Sequence, residues 1–293
     1  MKFSPFRYYR PDTVSEVVKL LVAHGGDALP LAGGQSLLPM MAFRLVQPGA
    51  LVDLSCISGL DGIELREDGL RLGALVRWCD VLGTPVIARA HPLLVEAVGH
   101  VAHYQVRNRG TLGGSIAHAD AAAEFPAICL VSDAQIEVIG SQGRRRVSSR
   151  NFLLGAMSTD LAEDELVEAI HFPPWPAGRC WSFREFARRK GDFALAGVAM
   201  YCDPDAAGGR CQNWRIVCFG LGGVALRLEG VEALLEGQKI TADHISAAVS
   251  LAQRHLVADG DIHAPPEYRK ALAAELLGRA LGDILKQVGN DRG

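Results

Sequence analysis

The chain has 293 residues, more than a single hydrophobic core usually organises, so two or three sub-domains are expected. With 49% hydrophobic and 22% charged residues, 32 Gly and 14 Pro, it reads as a turn-rich globular protein rather than a disordered one. A formal net charge of -3, with no stripe of Arg and Lys interleaved with aromatics, argues against a nucleic-acid partner. The seven cysteines are odd in number and include no C-x-x-C pair, which argues against a disulfide frame or a cysteine-bound cluster and for small core thiols in a reducing cytosol. Arg7 and Arg10 arrive with no apolar leader segment, and no stretch approaches roughly eighteen apolar residues, so a cytoplasmic protein without a membrane span is expected.

Thr13 and Glu16 have the spacing of a capping box, and Val14, Val17, Val18 and Leu21 then recur at helical period until Gly25-Gly26. Residues 28–32 read as a buried strand running into Gly33-Gly34, and 50–54 as a second. Leu70, Leu72 and Ala74 alternate as a strand, and 84–102 is apolar at helical spacing. A glycine-rich loop follows at 110–115, then a helix over 121–131 and a hairpin of 134–139 with 144–148. Arg144-Arg145-Arg146 reads as a solvated strand edge rather than an anion site. Residues 166–172 form a last strand before Pro173-Pro174-Trp175-Pro176, the expected domain boundary. Beyond it come strands at 183–188 and 214–219 and three helices, the last spanning 268–285. The class is α+β throughout.

Two segments carry the chemistry. Leu31-Ala32-Gly33-Gly34-Gln35-Ser36 follows a strand, and its glycines let backbone N–H groups turn inward as an anion nest and let a phosphate approach; a tight turn alone would use the same residues. Gly110-Thr111-Leu112-Gly113-Gly114-Ser115 repeats this chemistry some way downstream, and a diphosphate is well held when two nests meet it from different sub-domains. Asp120 and Glu124 are placed either to accept hydrogen bonds from ribose or ribityl hydroxyls as ionised carboxylates or to cap the following helix.

These motifs, with 3–9 at the start, Gln35-Ser36-Leu37-Leu38-Pro39, Arg109, Arg188-Arg189-Lys190-Gly191-Asp192-Phe193-Ala194, Gly222-Gly223-Val224 and Glu267-Tyr268-Arg269, resemble in order the FAD-binding medium subunits of the xanthine oxidase and carbon monoxide dehydrogenase group. The resemblance implies a vanillyl-alcohol-oxidase-like (PCMH-type) FAD-binding domain of two α+β sub-domains, 1–57 and 58–175, and a C-terminal α+β domain, 176–293, of the CO dehydrogenase flavoprotein type. It implies that Leu31, Ala32, Gly33, Gly34, Gln35 and Ser36 clamp the FAD pyrophosphate together with Thr111, Leu112, Gly113, Gly114 and Ser115, largely through backbone N–H groups. It also implies a flavin-contacting acid at Glu124, a base near the isoalloxazine at Arg184, and an aromatic shield at Phe193, which otherwise reads as a core residue. Gln35 and Ser115 stand where many relatives carry His and Asn, so side-chain contacts there differ from theirs.

The implied function is the flavin subunit of a molybdenum hydroxylase. FAD would sit on this chain, molybdopterin on a large partner subunit and [2Fe-2S] clusters on a small one, in a dimer of heterotrimers. Outer-sphere electron transfer needs no catalytic acid or base here. The alternatives are a self-sufficient FAD-dependent oxidase and a flavin-free structural subunit. The strand and G-x-G-x-x-A run at 214–225 resembles a Rossmann opening but lacks a following parallel strand and acid. His91, His100, His103 and His118 lack a carboxylate or thiolate at ligand spacing and read as structural or flavin-proximal rather than metal-binding.

Overall fold

The computed structural model describes residues 2–205 and 209–290; residue 1, 206–208 and 291–293 of the expected outer units lie outside the described residues. Thr13 caps the helix Val14–His24 through the expected capping box, its side chain accepting from the Glu16 N–H. That helix buries Val17 and Leu21 against a three-stranded sheet. The sheet is parallel, with Ala50–Asp53 in the centre, Arg7–Tyr9 on one side and Ala28–Leu31 on the other.

A five-stranded antiparallel sheet follows, in the spatial order Ile63–Arg66, Gly69–Gly73, Leu166–Phe172, Gln135–Gly140 and Gly143–Ser148. Leu166–Phe172 is buried along its whole length as a central strand, Glu168 and His171 included. At the far edge, Arg144 pairs with Glu168, Arg145 with Asp160 and Glu165, and Arg146 with Glu137. This is the expected charged edge, which discourages pairing with another chain.

The apolar run over 84–102 is two helices rather than one, Pro85–Ala90 and Pro92–His100. Pro92 has no N–H and pushes the preceding residue out of the helical region, so His91 adopts φ −160 and ψ 72. The His91 ring turns this break into a cap: its Nδ1 accepts from the Leu94 N–H, and its Nε2 meets Ser132 Oγ at 2.9 Å. Burial lowers its pKa to about 3, so the ring is neutral. The helix expected over 121–131 begins only at Glu124, because Asp120 holds a turn there.

The C-terminal unit is a four-stranded antiparallel sheet of Cys180–Ala187, Ala194–Pro204, Cys211–Phe219 and Leu226–Arg227, backed by helices Glu229–Leu235, Ala242–His255 and Pro266–Asn290. Leu226–Arg227 runs antiparallel to Cys211–Phe219, so the glycine turn between them opens no Rossmann unit. Ala194–Pro204 is a central strand that the sequence reading passed over. One face of this sheet packs on the long helix; the other joins the core of the preceding unit through Phe183, Tyr201, Val217 and Phe219.

Candidate functional site

Ala28–Leu31 is an edge strand, and the chain leaves it against the second unit. Gly33 is required by close approach: a Cβ there would lie 2.0 Å from the Arg109 carbonyl oxygen. Gly34 takes φ 71, in the left-handed region, and its carbonyl accepts from the Leu38 N–H at 3.1 Å, which starts the short helix Leu37–Ala42. Gln35 folds back to donate its Nε2 to the Gly33 carbonyl. Among the described residues, no backbone N–H from Ala32 to Leu37 has a protein acceptor. Such a run of unpaired donors, ending at a helix N-terminus, is the chemistry that holds phosphate oxygens.

The second segment is built differently. The expected loop at 110–115 is instead the entry turn of the helix Leu112–His118, capped by Thr111. Its N–H groups are already used: Leu112 donates to Val76 (2.9 Å), Gly113 to Ala74 (2.8 Å) and Ser115 to Thr111 (3.0 Å), each at the carbonyl oxygen, while Gly114 donates to Thr111 Oγ1 at 3.1 Å. The expectation that both loops clamp through backbone N–H groups is therefore corrected. Gly113 is a packing glycine whose Cβ would meet that of Ala74 at 2.5 Å, and Leu112 is buried beneath. What this segment presents is the exposed backbone of Gly114 and the half-buried Ser115, while Thr111 is buried with its Oγ1 taken by the Gly114 N–H. The two segments do meet, for a Cβ on Gly114 would stand 3.9 Å from that of Ala32.

Asp120 lies at the end of this helix, where Ala119 turns left-handed at φ 49. One of its oxygens accepts from the Ala122 N–H at 2.9 Å, which closes the turn before the next helix, whose N-cap is Ala123 and not Asp120. Glu124 opens the next helix and is buried. Desolvation, reinforced by Asp120, raises its pKa to about 7. A fully ionised acceptor was expected at Glu124; burial makes it a carboxyl poised to hold a proton near neutrality.

Strand parity separates the remaining candidates. Arg184 faces the long C-terminal helix, where its guanidinium makes a two-pronged pair with Asp283 at 2.8 Å for each bond. The fold thus directs Arg184 away from the first unit, and it does not join the other candidates. Its neighbours Phe183 and Glu185 point the other way, Phe183 into the shared core. Glu185, which the sequence reading missed, has a side chain 4% exposed and an Oε2 without a hydrogen-bond partner. Counting alternation from the apolar Phe183 would have found it. Phe193 is 59% exposed, which removes the core reading and leaves it free to cover a ligand. It follows Gly191, whose φ of 84 and close approach to the Ala102 carbonyl lay this loop against the second unit.

Arg269 from the Glu267-Tyr268-Arg269 motif ties these parts together. It is buried and donates from NH1 to the carbonyls of Leu195 (3.0 Å) and Gly220 (2.6 Å) and from NH2 to Asp261 at 2.7 Å. The Gly220 N–H in turn donates to the Ala121 carbonyl at 3.0 Å, beside Asp120.

The family described as FAD binding domain in molybdopterin dehydrogenase matches residues 4–175, and that described as CO dehydrogenase flavoprotein C-terminal domain matches 181–284. The chain belongs to the FAD-binding medium subunits of the molybdenum hydroxylases. It is 37% identical over 281 residues to the nicotine 6-hydroxylase medium subunit of Paenarthrobacter nicotinovorans, covering 96% of this chain and 98% of that one. Among solved structures it is similar to quinoline 2-oxidoreductase from Pseudomonas putida 86, with a TM-score of 0.92, 39% identity and 99% of each chain covered. Carbon monoxide dehydrogenase from Hydrogenophaga pseudoflava gives a TM-score of 0.94 at 36% identity, covering 98% of this chain and 99% of that one. This medium subunit is an FAD-binding PCMH-type domain followed by a CO dehydrogenase flavoprotein C-terminal domain, a mixed α+β structure and part of a multi-subunit oxidoreductase. Among the described residues, no helix is long and apolar enough to cross a membrane. The unpaired donors of 32–37, with no Cβ on Gly33 or Gly34 to obstruct them, fit the pyrophosphate of FAD.

Proposed function

We propose that this chain is the electron exit of a three-component molybdenum hydroxylase. Substrate would be oxidised on a large molybdopterin-binding subunit, a small subunit would carry [2Fe-2S] clusters, and this chain would hold the FAD from which an external acceptor draws electrons, in a dimer of heterotrimers. Bound FAD supplies the redox chemistry, linking one-electron donors to acceptors that take one electron or two. The chain's residues bind and orient it. Ala32, Gly33, Gly34, Gln35 and Ser36 receive one face of the pyrophosphate through backbone donors, with Leu31 anchoring the strand end, and Thr111, Gly114 and Ser115 close the opposite wall over Leu112 and Gly113. Asp120 offers a carboxylate oxygen to a hydroxyl of the ligand, Glu124 lies deeper, and Phe193 is free to cover an exposed ring.

The observation that carries this reading is the run of unpaired N–H groups from Ala32 to Leu37, facing Gly114 across the contact between two units. With the chain divided at 57/58 and 175/176, that contact would lie between the first two units. Among the described residues no cysteine is joined in a disulfide, which supports a reducing cytoplasm. The test is to produce the chain alone and with its two partners, then measure bound FAD and turnover. FAD on the isolated chain, with substrate oxidation only in the molybdenum-loaded complex, is the expected result. Oxidation of small donors by the chain alone would instead establish a self-sufficient oxidase, and a chain purified without flavin under all conditions would establish a structural subunit.

A further inference from the structure

Glu185 stands on the face of the C-terminal sheet that packs against the FAD-binding domain, side chain buried, Oε2 unpartnered. Buried carboxylates normally meet a cation, because desolvation of an unpaired charge is costly. No such partner is supplied. The helix Glu124–Val131 contributes Glu124, and the turn before it Asp120, both acids. The facing residue on the next strand is Gly197. Arg184 belongs to the opposite face and to Asp283, and Arg107 is engaged with the carbonyls of Val101 and Ala102. The helix Pro92–His100 alone brings a group that can carry positive charge: His100 Nδ1 lies 3.9 Å from Glu185 Oε2, and its Nε2 lies 3.6 Å from Glu96 Oε1. His100 is 38% exposed and Glu96 more so, so these contacts run from the buried carboxyl to water.

A metal ion does not account for the arrangement, since among the described residues no three His, Cys, Asp or Glu groups are placed to hold one. A proton does. Burial and the charge of Glu124 raise the Glu185 pKa to about 8, and Glu124 itself is raised to about 7. Two acids that repel each other in a dry space lose their protons in separate steps, so one is still held when the other has gone.

We propose that the buried, unpaired Glu185 holds a proton at the junction of the two domains and that His100 is the port through which this proton exchanges with water. Resting on the flavin reading above, its use is to serve reduction of the bound cofactor. Electrons arrive from the iron-sulfur partner, or from dithionite in vitro, and the flavin takes up protons with them. One of those protons leaves Glu185, which remains as a carboxylate. Reoxidation by the acceptor returns a proton to Glu185, and His100 restores any deficit from solvent.

Infrared spectroscopy of the full chain tests this without turnover. A protonated-carboxyl C=O band is expected at about pH 6, fading as pH rises through about 7 to 8. Glu185→Gln and Glu124→Gln should each diminish it. On transfer to heavy water the band should shift rapidly in the wild type and about tenfold or more slowly in His100→Phe, which keeps the ring contact with Phe183, now at 5.0 Å between centroids. In the flavin-loaded chain, dithionite reduction at about pH 6.5 with an indicator dye should draw protons from the medium about tenfold more slowly in His100→Phe than in the wild type. A wild type without the band, a band untouched by both glutamine variants, or His100→Phe exchanging at the wild-type rate would each overturn the proposal. The infrared arms need no flavin, so loss of the cofactor reading and loss of the proton port are separately visible.

Discussion

Gly34 is held in the left-handed region and its missing Cβ would sit 2.9 Å from Leu38 Cδ1, so a branched side chain there strains the backbone and fills the donor array together. Gly114 has ordinary dihedrals, but a side chain on it meets Thr111 Oγ1 and projects toward Ala32. Gly34→Val and Gly114→Val are therefore expected to lower FAD affinity about a hundredfold or more, read as flavin-to-protein ratio after gel filtration. Cys129→Ser, fully buried in a helix away from the cradle, should keep its flavin while losing about 1–2 kcal/mol of stability to a hydroxyl in the core. Full flavin occupancy in both valine variants would remove the cradle assignment. At this scale the glycines were legible in the sequence, because no other residue suits a close approach or φ 71. The allocation of N–H groups was not. Whether Leu112 and Gly113 donate to a ligand or to protein is decided by the carbonyls of Val76 and Ala74, which tertiary folding delivers.

Elements were legible where a local signal coincided with a long periodic run. The capping box at Thr13 and the buried strand Leu166–Phe172 are of this kind. Helical periodicity concealed the break at Pro92, although proline itself marks it. Ala194–Pro204 escaped because Ala194, Ala196, Gly197 and Ala199 are small and buried on both faces, leaving no alternation to read. Arg184, named from the family resemblance, faces the long helix and Asp283 instead, because one residue of parity on a strand exchanges the helix-facing side for the domain-facing side. Arg269 shows an element positioned by a single side chain. Arg269→Met removes the donor to the Leu195 and Gly220 carbonyls and is expected to cost about 3 kcal/mol in urea unfolding. It should also weaken FAD binding, because the Gly220 turn is hydrogen-bonded to Ala121 beside Asp120. Unchanged stability would show that the two carbonyls find other donors.

Across the whole molecule, the buried acids at the domain junction make stability depend on pH. Their folded pKa values, about 7 and about 8, lie above those of an unfolded glutamate. The stability they contribute is fully present below the ordinary carboxylate range and is lost as pH rises through the folded values. For the two acids together this amounts to roughly 7 kcal/mol between about pH 4.5 and pH 8. His91 acts in the opposite sense, contributing above its unfolded value and losing that contribution as pH falls toward about 3. Glu124→Gln and Glu185→Gln should therefore flatten the decline toward alkaline pH and exceed the wild type in stability above about pH 8, as denaturant midpoints across the pH range would show. Parallel wild-type and variant profiles would contradict this.

The contact of Gly33 with the Arg109 carbonyl has a thermodynamic consequence for assembly. The donors lie on one unit and the opposing wall on another, so a ligand that touches both binds only when the halves are docked. By linkage, its binding free energy then counts as docking free energy, growing with the logarithm of cofactor concentration over Kd. FAD in this architecture is a fastener as well as a redox group. Folding of the first hundred or so residues is thereby coupled to cofactor supply, and a cell short of flavin would hold this chain in a looser, more protease-sensitive form.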